Sequence, residues 1–163
     1  MSSPPESQPS GMLLLREIPA LPGGWASAMF GMVLAETLAE VSVARCRLYV
    51  LVDLVRPAAD PPVAGALVEM GPPAREARLR ALSVDRAHRG RGLDRRLLGD
   101  LLTELRADGV QRVRYRVVGT DTAVCTLLRS AGFVLEDENP AVTCRYDGAA
   151  IEAPAVAWLM REL

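Results

Sequence analysis

Residues 84–101 read Val-Asp-Arg-Ala-His-Arg-Gly-Arg-Gly-Leu-Asp-Arg-Arg-Leu-Leu-Gly-Asp-Leu: the end of a strand, a tight Arg/Gly loop and the first turns of a helix. Gly90 and Gly92 let the main chain come close to a ligand. A helix opening at Leu93 presents unpaired N–H groups and the positive end of its dipole. Such a turn suits a phosphate or a pyrophosphate. Arg86, Arg89, Arg91, Arg95 and Arg96 add forked donors around the loop, whereas a purely structural turn would be served by neutral polar residues. A Gly/Arg turn before an amphipathic helix also occurs with no ligand, so the loop alone leaves both readings standing.

Outward from the loop, the apolar spacing sets the elements. Leu93–Ala107 is a helix that buries Leu93, Leu97, Leu98, Leu101, Leu102 and Leu105, exposes Arg96, Asp100 and Glu104 four apart, and ends at Gly109. Glu76–Val84 is the strand that feeds the loop. Gln111–Val118 alternates, with Val113, Tyr115 and Val117 on one face and Arg112, Arg114 and Arg116 on the other. Lying beyond a helix, it runs parallel to Glu76–Val84. Asp121 caps a helix carrying Val124, Leu127 and Leu128 that stops at Gly132.

Upstream, Met12–Ile18, Leu48–Val55 and Val63–Met70 read as strands, the second covered on both faces. Short turns at Pro57–Pro62 and Gly71–Pro73 make these last two and Glu76–Val84 antiparallel neighbours. Trp25–Val43 reads as one or two helices with Glu36 and Glu40 on a polar stripe. Phe133–Leu135, Val142–Tyr146 and Val156–Met160 fit closing strands. Met1–Gly11 is a Ser/Pro-rich tail expected to be disordered, leaving 12–163 as one domain. The order is that of an α/β fold with a mixed sheet.

Composition narrows the function. The formal net charge is −1, which argues against a nucleic-acid binder, as does an aromatic content of 4% that leaves few stacking residues. All 19 basic residues are Arg, and 12 of them fall within residues 75–116, a local positive field for phosphorylated ligands. Cys46, Cys125 and Cys144 have no metal-ligand spacing, so no metal site is expected and reduced thiols in a cytoplasm are. The uncharged run Ile18–Ala35 is broken by Pro19, Pro22, Gly23 and Gly24, too short for a membrane helix, and Leu13–Leu15 is too short for a signal peptide.

The segment Arg89-Gly90-Arg91-Gly92-Leu93-Asp94 resembles the Arg/Gln-x-x-Gly-x-Gly/Ala signature of GCN5-related N-acetyltransferases (GNATs), with Asp94 where that family prefers Gly or Ala. Residues 121–133 resemble its Asn-x-x-Ala-x-x-x-Tyr-x-x-x-Gly-Phe segment: Gly132 and Phe133 match, while Asp121, Val124 and Leu128 replace Asn, Ala and Tyr. The resemblance implies a mostly antiparallel mixed sheet flanked by helices, with a splayed parallel pair of central strands. It implies an acyl-CoA-dependent N-acetyltransferase that moves an acetyl group from acetyl-CoA to a primary amine of a small molecule or peptide. It further implies that the main chain of Leu82, Ser83 and Val84 grips the pantetheine arm and polarises the thioester carbonyl. Arg89, Gly90, Arg91, Gly92, Leu93 and Asp94 would hold the pyrophosphate, with Asp121 beside them.

Acetyl transfer needs a base for the amine and a proton for the leaving thiolate. Glu76, thirteen residues before Arg89, stands where some family members carry a catalytic Glu; as a strand-start carboxylate it is equally a solvated residue, and Glu69 and Asp53 are fallbacks. Leu128 has no proton to give where the family's Tyr does, so Tyr115, Tyr146 or a water must substitute, although Tyr115 also fits core packing. Cys125, without a partner His, reads as a small buried hydrophobe, and His88 as a phosphate contact or a solvated loop residue. The Arg112, Arg114 and Arg116 row reads as a solvated face, a homodimer interface rich in ion pairs, or a patch for an acidic partner. A second class of reading is a degenerate GNAT-like module that binds CoA or another protein, favoured by Asp94, Asp121 and Leu128.

Overall fold

The computed structural model describes residues 12–18, 28–31, 43–55, 60–72, 75–118, 122–136 and 156–163. The Met1–Gly11 tail, Asp121, Cys144, the Val142–Tyr146 strand with Tyr146, and most of the Trp25–Val43 segment lie outside these residues. Among the described residues seven strands form one sheet: β1 (Leu13–Ile18), β2 (Cys46–Asp53), β3 (Ala64–Met70), β4 (Glu76–Val84), β5 (Arg112–Val118), β6 (Val134–Leu135) and β7 (Val156–Glu162). Their spatial order is β1-β2-β3-β4-β5-β7-β6. Every pairing is antiparallel except that of β4 with β5. Two helices follow the loops after β4 and β5, α1 (Leu93–Ala107) and α2 (Thr122–Ser130). The mixed, mostly antiparallel sheet expected from the element order is therefore present.

The leucine stripe places α1. Leu97, Leu98, Leu101, Leu102 and Leu105 are all buried, and they share one core with Tyr49 and Leu51 of β2, Val68 of β3 and Val113 of β5. The opposite sheet face holds a smaller cluster, Leu48, Val50, Leu67 and Ala81 with Phe30 from a helical turn at residues 28–31. Because β2 has a strand on each side and cover on each face, Leu48–Leu51 is buried without interruption. The expected strand to Val55 stops sooner, since the Asp53 carboxylate accepts the Val55 N–H at 3.0 Å and turns the chain.

Two irregularities set β4 apart from its neighbours. Its parallel ladder with β5 lasts only from Glu76–Arg112 to Leu79–Tyr115, after which the strands part. Its pairing with β3 also slips: Leu67 faces Ala81 while Val68 faces Leu79, so Arg80 is an extra residue, a β-bulge at the level where the strands diverge.

Leu101 is fully buried beneath the sheet. Leu101→Ala should lower unfolding free energy by about 2–5 kcal/mol in a denaturant titration, while exposed Arg106→Ala should stay within about 0.5 kcal/mol.

Candidate acyl-donor and acceptor site

The loop after β4 is held from within. Asp85 starts a 3-10 turn over Arg86–His88, where its carboxylate accepts the Ala87 N–H at 3.1 Å and lies 2.9 Å from His88 Nδ1. That His88 contact holds the Asp85 carboxyl below its ordinary value, with the Ala87 N–H adding to the effect. Arg89 Nε donates to the Val84 carbonyl at 3.3 Å, folding the loop back on the strand end. His88, read as a phosphate contact or a solvated residue, is clamped rather than solvated, with its side chain 12% exposed.

Gly90 and Gly92 have φ of 75° and 71°, a left-handed backbone that favours glycine. A Cβ on either would meet nothing within 4 Å. The glycines thus shape the turn and leave open space beside it. Gly92 is the N-cap of α1 and offers no side-chain cap. The first helical bond runs from Arg96 N–H to the Gly92 carbonyl, so the N–H groups of Gly92, Leu93 and Asp94 meet no acceptor among the described residues. The next amide, of Arg95, is taken by Asp94 Oδ1 at 2.8 Å.

Beside this helix mouth lies an open cavity of about 510 Å³. Leu82, Ser83 and Val84 of β4 form one wall and Ala123, Val124 and Leu127 of α2 the other; His88, Arg89, Gly90, Leu93 and Asp94 close the end. The wall on β4 is where the strand has left β5. Half of its main-chain polar groups face that gap with no strand to pair them.

This geometry is matched by comparison with known proteins. The model of the acetyltransferase (GNAT) family matches residues 17–133. The chain belongs to the GNAT acetyltransferase family. Solved structures of similar fold include a Bacillus subtilis acetyltransferase in complex with CoA, at 12% identity and a TM-score of 0.66, covering 93% of this chain and 99% of that one. A GNAT acetyltransferase from Elizabethkingia anophelis with acetyl-CoA bound gives 13% and 0.65, over 93% and 98%. An acetyltransferase from Thermus thermophilus gives 20% and 0.60, over 94% and 99%. No curated protein sequence is a significant match.

In this GNAT domain the residues singled out from the sequence fall into separate places. Leu82–Val84, Arg89, Gly90, Leu93 and Asp94 line the cavity, and Gly92 sits at the helix mouth with exposed Arg91 beside it. Tyr115 is partly buried against the main core at the last paired position before the strands part. Leu128 is fully buried, and its neighbours Val124 and Leu127 face the cavity instead. Cys125 packs partly buried against the same core.

Glu76 lies at the closed end of the β4–β5 ladder, 3.2 Å from Arg112, which also holds Glu162 at 2.8 Å. Arg114 grips Glu136 with two donors at 2.8 and 2.5 Å and lies over Trp158. The arginine row is thus largely neutralised within the chain. Sequence alone did not reveal the Asp85–His88 clamp, the bulge at Arg80 or the burial of Glu69. Only the i, i+3 spacing of Asp85 and His88 carried a local signal for any of them.

Two measurements probe the loop. Asp94→Ala frees the Arg95 amide and removes a negative charge from the cavity rim, so acetyl-CoA should bind about tenfold tighter by calorimetry, a gain of about 1.4 kcal/mol. The lowered Asp85 pKa means its contact adds stability above the unfolded-state pKa and loses it as pH falls through the folded-state value. The melting-temperature advantage of the wild type over Asp85→Asn should be full at neutral pH and shrink on acidification below the ordinary carboxylate range.

Proposed function

We propose that this chain is an N-acetyltransferase that uses acetyl-CoA to acetylate a primary amine of a small molecule or peptide. The observation that carries the reading is the gap between β4 and β5, opening beside an uncapped helix mouth and a cavity of about 510 Å³. The free amides of Gly92, Leu93 and Asp94 and the glycine-shaped turn suit a pyrophosphate, and the Leu82–Val84 edge that β5 leaves, where only the Val84 carbonyl is met by Arg89, suits an extended arm with amide groups of its own. Arg89 and Arg91 add positive charge at the same mouth. Acetyl-CoA supplies the activated thioester.

The main chain of β4 at the gap polarises the thioester carbonyl, a role that does not depend on side chains. For the base, Glu69 and Glu76 both lie on the sheet face opposite α1. Glu69 suits proton abstraction better than Glu76: it is 8% exposed and its Oε2 has no hydrogen bond, whereas Glu76 shares Arg112 with Glu162. Tyr115, where the strands part, is the hydroxyl proposed to protonate the departing sulfur. Among the described residues no helix is long and apolar enough to cross a membrane. Cys46 and Cys125 are thiols outside any disulfide, which supports a reducing, cytoplasmic setting.

Acetyl-CoA at about 100 times its dissociation constant should stabilise the protein by about 2.7 kcal/mol in a thermal-shift assay. Glu69→Gln should lower kcat by about 10²–10⁴ with acetyl-CoA binding intact, and Glu76→Gln should change it much less. Acetyl-CoA binding without turnover on any amine would replace the enzyme by a CoA-binding module.

A further inference from the structure

His88 is the only histidine of the 163-residue chain, and the acetyl-transfer reading gives it no part. Its place is set from two sides. Asp85 opens the turn Arg86–His88, and the carboxylate oxygen that accepts the Ala87 N–H at 3.1 Å also lies 2.9 Å from His88 Nδ1. On the other side the ring borders the cavity, at the end it shares with Arg89, Gly90, Leu93 and Asp94. The second ring nitrogen, Nε2, has no hydrogen-bond partner among the described residues and is not sealed from solvent. One nitrogen is therefore fixed on the loop and the other is left for whatever enters the cavity.

The Asp85 contact settles which nitrogen carries the proton of the neutral ring. An ionised carboxylate can only accept, and the His88 contact holds Asp85 below its ordinary value, so Nδ1 is the donor. Nε2 of the neutral ring is then a bare lone pair; in the imidazolium it is an N–H beside a positive charge. The end of the cavity that the ring borders is the end suited to an anion, with the amides of Gly92, Leu93 and Asp94 open there and Arg89 next to it. A diphosphate oxygen offers lone pairs only. The neutral ring would set acceptor against acceptor, whereas the imidazolium makes a charge-assisted hydrogen bond. Among the charged groups near the ring, Asp85 and Asp94 favour its protonation and Arg86 and Arg89 oppose it, while β4 and α2 bring only Ser83 and aliphatic side chains to the cavity. The two negative charges of a diphosphate add to the favourable side.

We propose that His88 is a ligand of the donor's diphosphate and holds it as the imidazolium, so that donor binding takes up a proton. This inference rests on the acetyl-CoA reading and deepens it: the loop amides hold the anion at any pH, and His88 makes the strength of that hold depend on pH. One proton moves from solvent to Nε2, which donates to a phosphate oxygen, and no covalent bond of the donor changes. A group that is protonated more readily in the complex than in the free protein strengthens the complex at low pH, and that gain is lost as pH rises through the group's titration in the complex. Acidification through the range in which histidines gain charge, about pH 8 to 5, therefore tightens donor binding. A ring that met an N–H or O–H of the ligand instead would accept through neutral Nε2, and the pH dependence would have the opposite sign.

The test uses the untagged full chain, in which His88 alone supplies imidazole signals. Its ring protons are followed by NMR from about pH 5 to about pH 9 in the free protein, with saturating CoA, and with saturating dephospho-CoA, which keeps the diphosphate and lacks the 3′-phosphate. The titration midpoint should rise by about one pH unit or more with each ligand, and calorimetry should find dephospho-CoA bound at least about fivefold tighter at about pH 6 than at about pH 8. His88→Gln should flatten that dependence to within about twofold, and the wild-type midpoint decides the question even where this variant does not fold. A midpoint that stays or falls on binding overturns the inference and leaves the acetyltransferase standing. So does a rise with CoA but not with dephospho-CoA, which puts the ring at the 3′-phosphate, and so does a pH dependence that persists in His88→Gln, which puts the proton on another group such as Asp94. Binding of neither CoA nor dephospho-CoA overturns both readings.

Discussion

Four residue pairs of parallel ladder, Glu76–Leu79 against Arg112–Tyr115, join β4 to β5, and the rest of the architecture depends on where that ladder stops. On one side of β4 the antiparallel pairing with β3 continues to Val84, so the strand stays fixed over its whole length. On the other side, main-chain donors and acceptors beyond Leu79 have no strand to satisfy them. Such an edge inside a protein is normally closed or covered. Here it borders the cavity between β4 and α2. α1 packs its leucine stripe into one core with β2, β3 and β4, so the helix that follows the loop is held against the strand that feeds it.

Charge is distributed around this opening with a clear division. On the face of β5 and β7 the arginines are consumed by carboxylates, Arg112 by Glu76 and Glu162 and Arg114 by Glu136; on α1, Arg96 meets Asp100 at 3.0 Å. Arg47 ties β2 to Asp108 at the end of α1 at 2.7 Å. Apart from the part-buried Arg114–Glu136 pair, these surface pairs contribute little each, about 0–1 kcal/mol, but they remove positive charge that would otherwise compete for an anion. The cations at the loop remain, and Arg91 and Arg95 pair with no carboxylate among the described residues. Part of the field inferred from twelve clustered arginines, that of Arg89, Arg91 and Arg95, thus stands at the helix mouth.

Asp94 is the compromise in that design. A carboxylate in the first turn of a helix is favourable to the dipole and closes one free amide, which helps α1 in the absence of a ligand. The same carboxylate borders the space a diphosphate would enter. Three neighbouring amides, of Gly92, Leu93 and Asp94, stay open beside it among the described residues. Leu128 shows a different kind of departure. Its side chain lies wholly in the core, and the cavity wall is carried by Val124 and Leu127, one turn and one residue away.

The secondary structure was written in local spacing. The boundaries of β4 and α1, the alternation of β5 and the leucine stripe all follow from short-range apolar periodicity, and Gly90 and Gly92 marked the left-handed turn because few other residues tolerate it. Glu69 was indistinguishable in sequence from a solvated strand residue, and Glu76 was the more prominent carboxylate. Their contrast arises from strand register: β2 and β4 bury Glu69 from either side, while Arg112 and Glu162 lock Glu76 at the closed end. By itself, the chain determined which segments become strands and helices and where an anion could meet a helix start, since those depend on neighbours within a few residues. Only the tertiary structure decided where β4 leaves β5, that Arg80 bulges there and that Glu69 is withdrawn from water, because register and burial are set by strands distant along the chain.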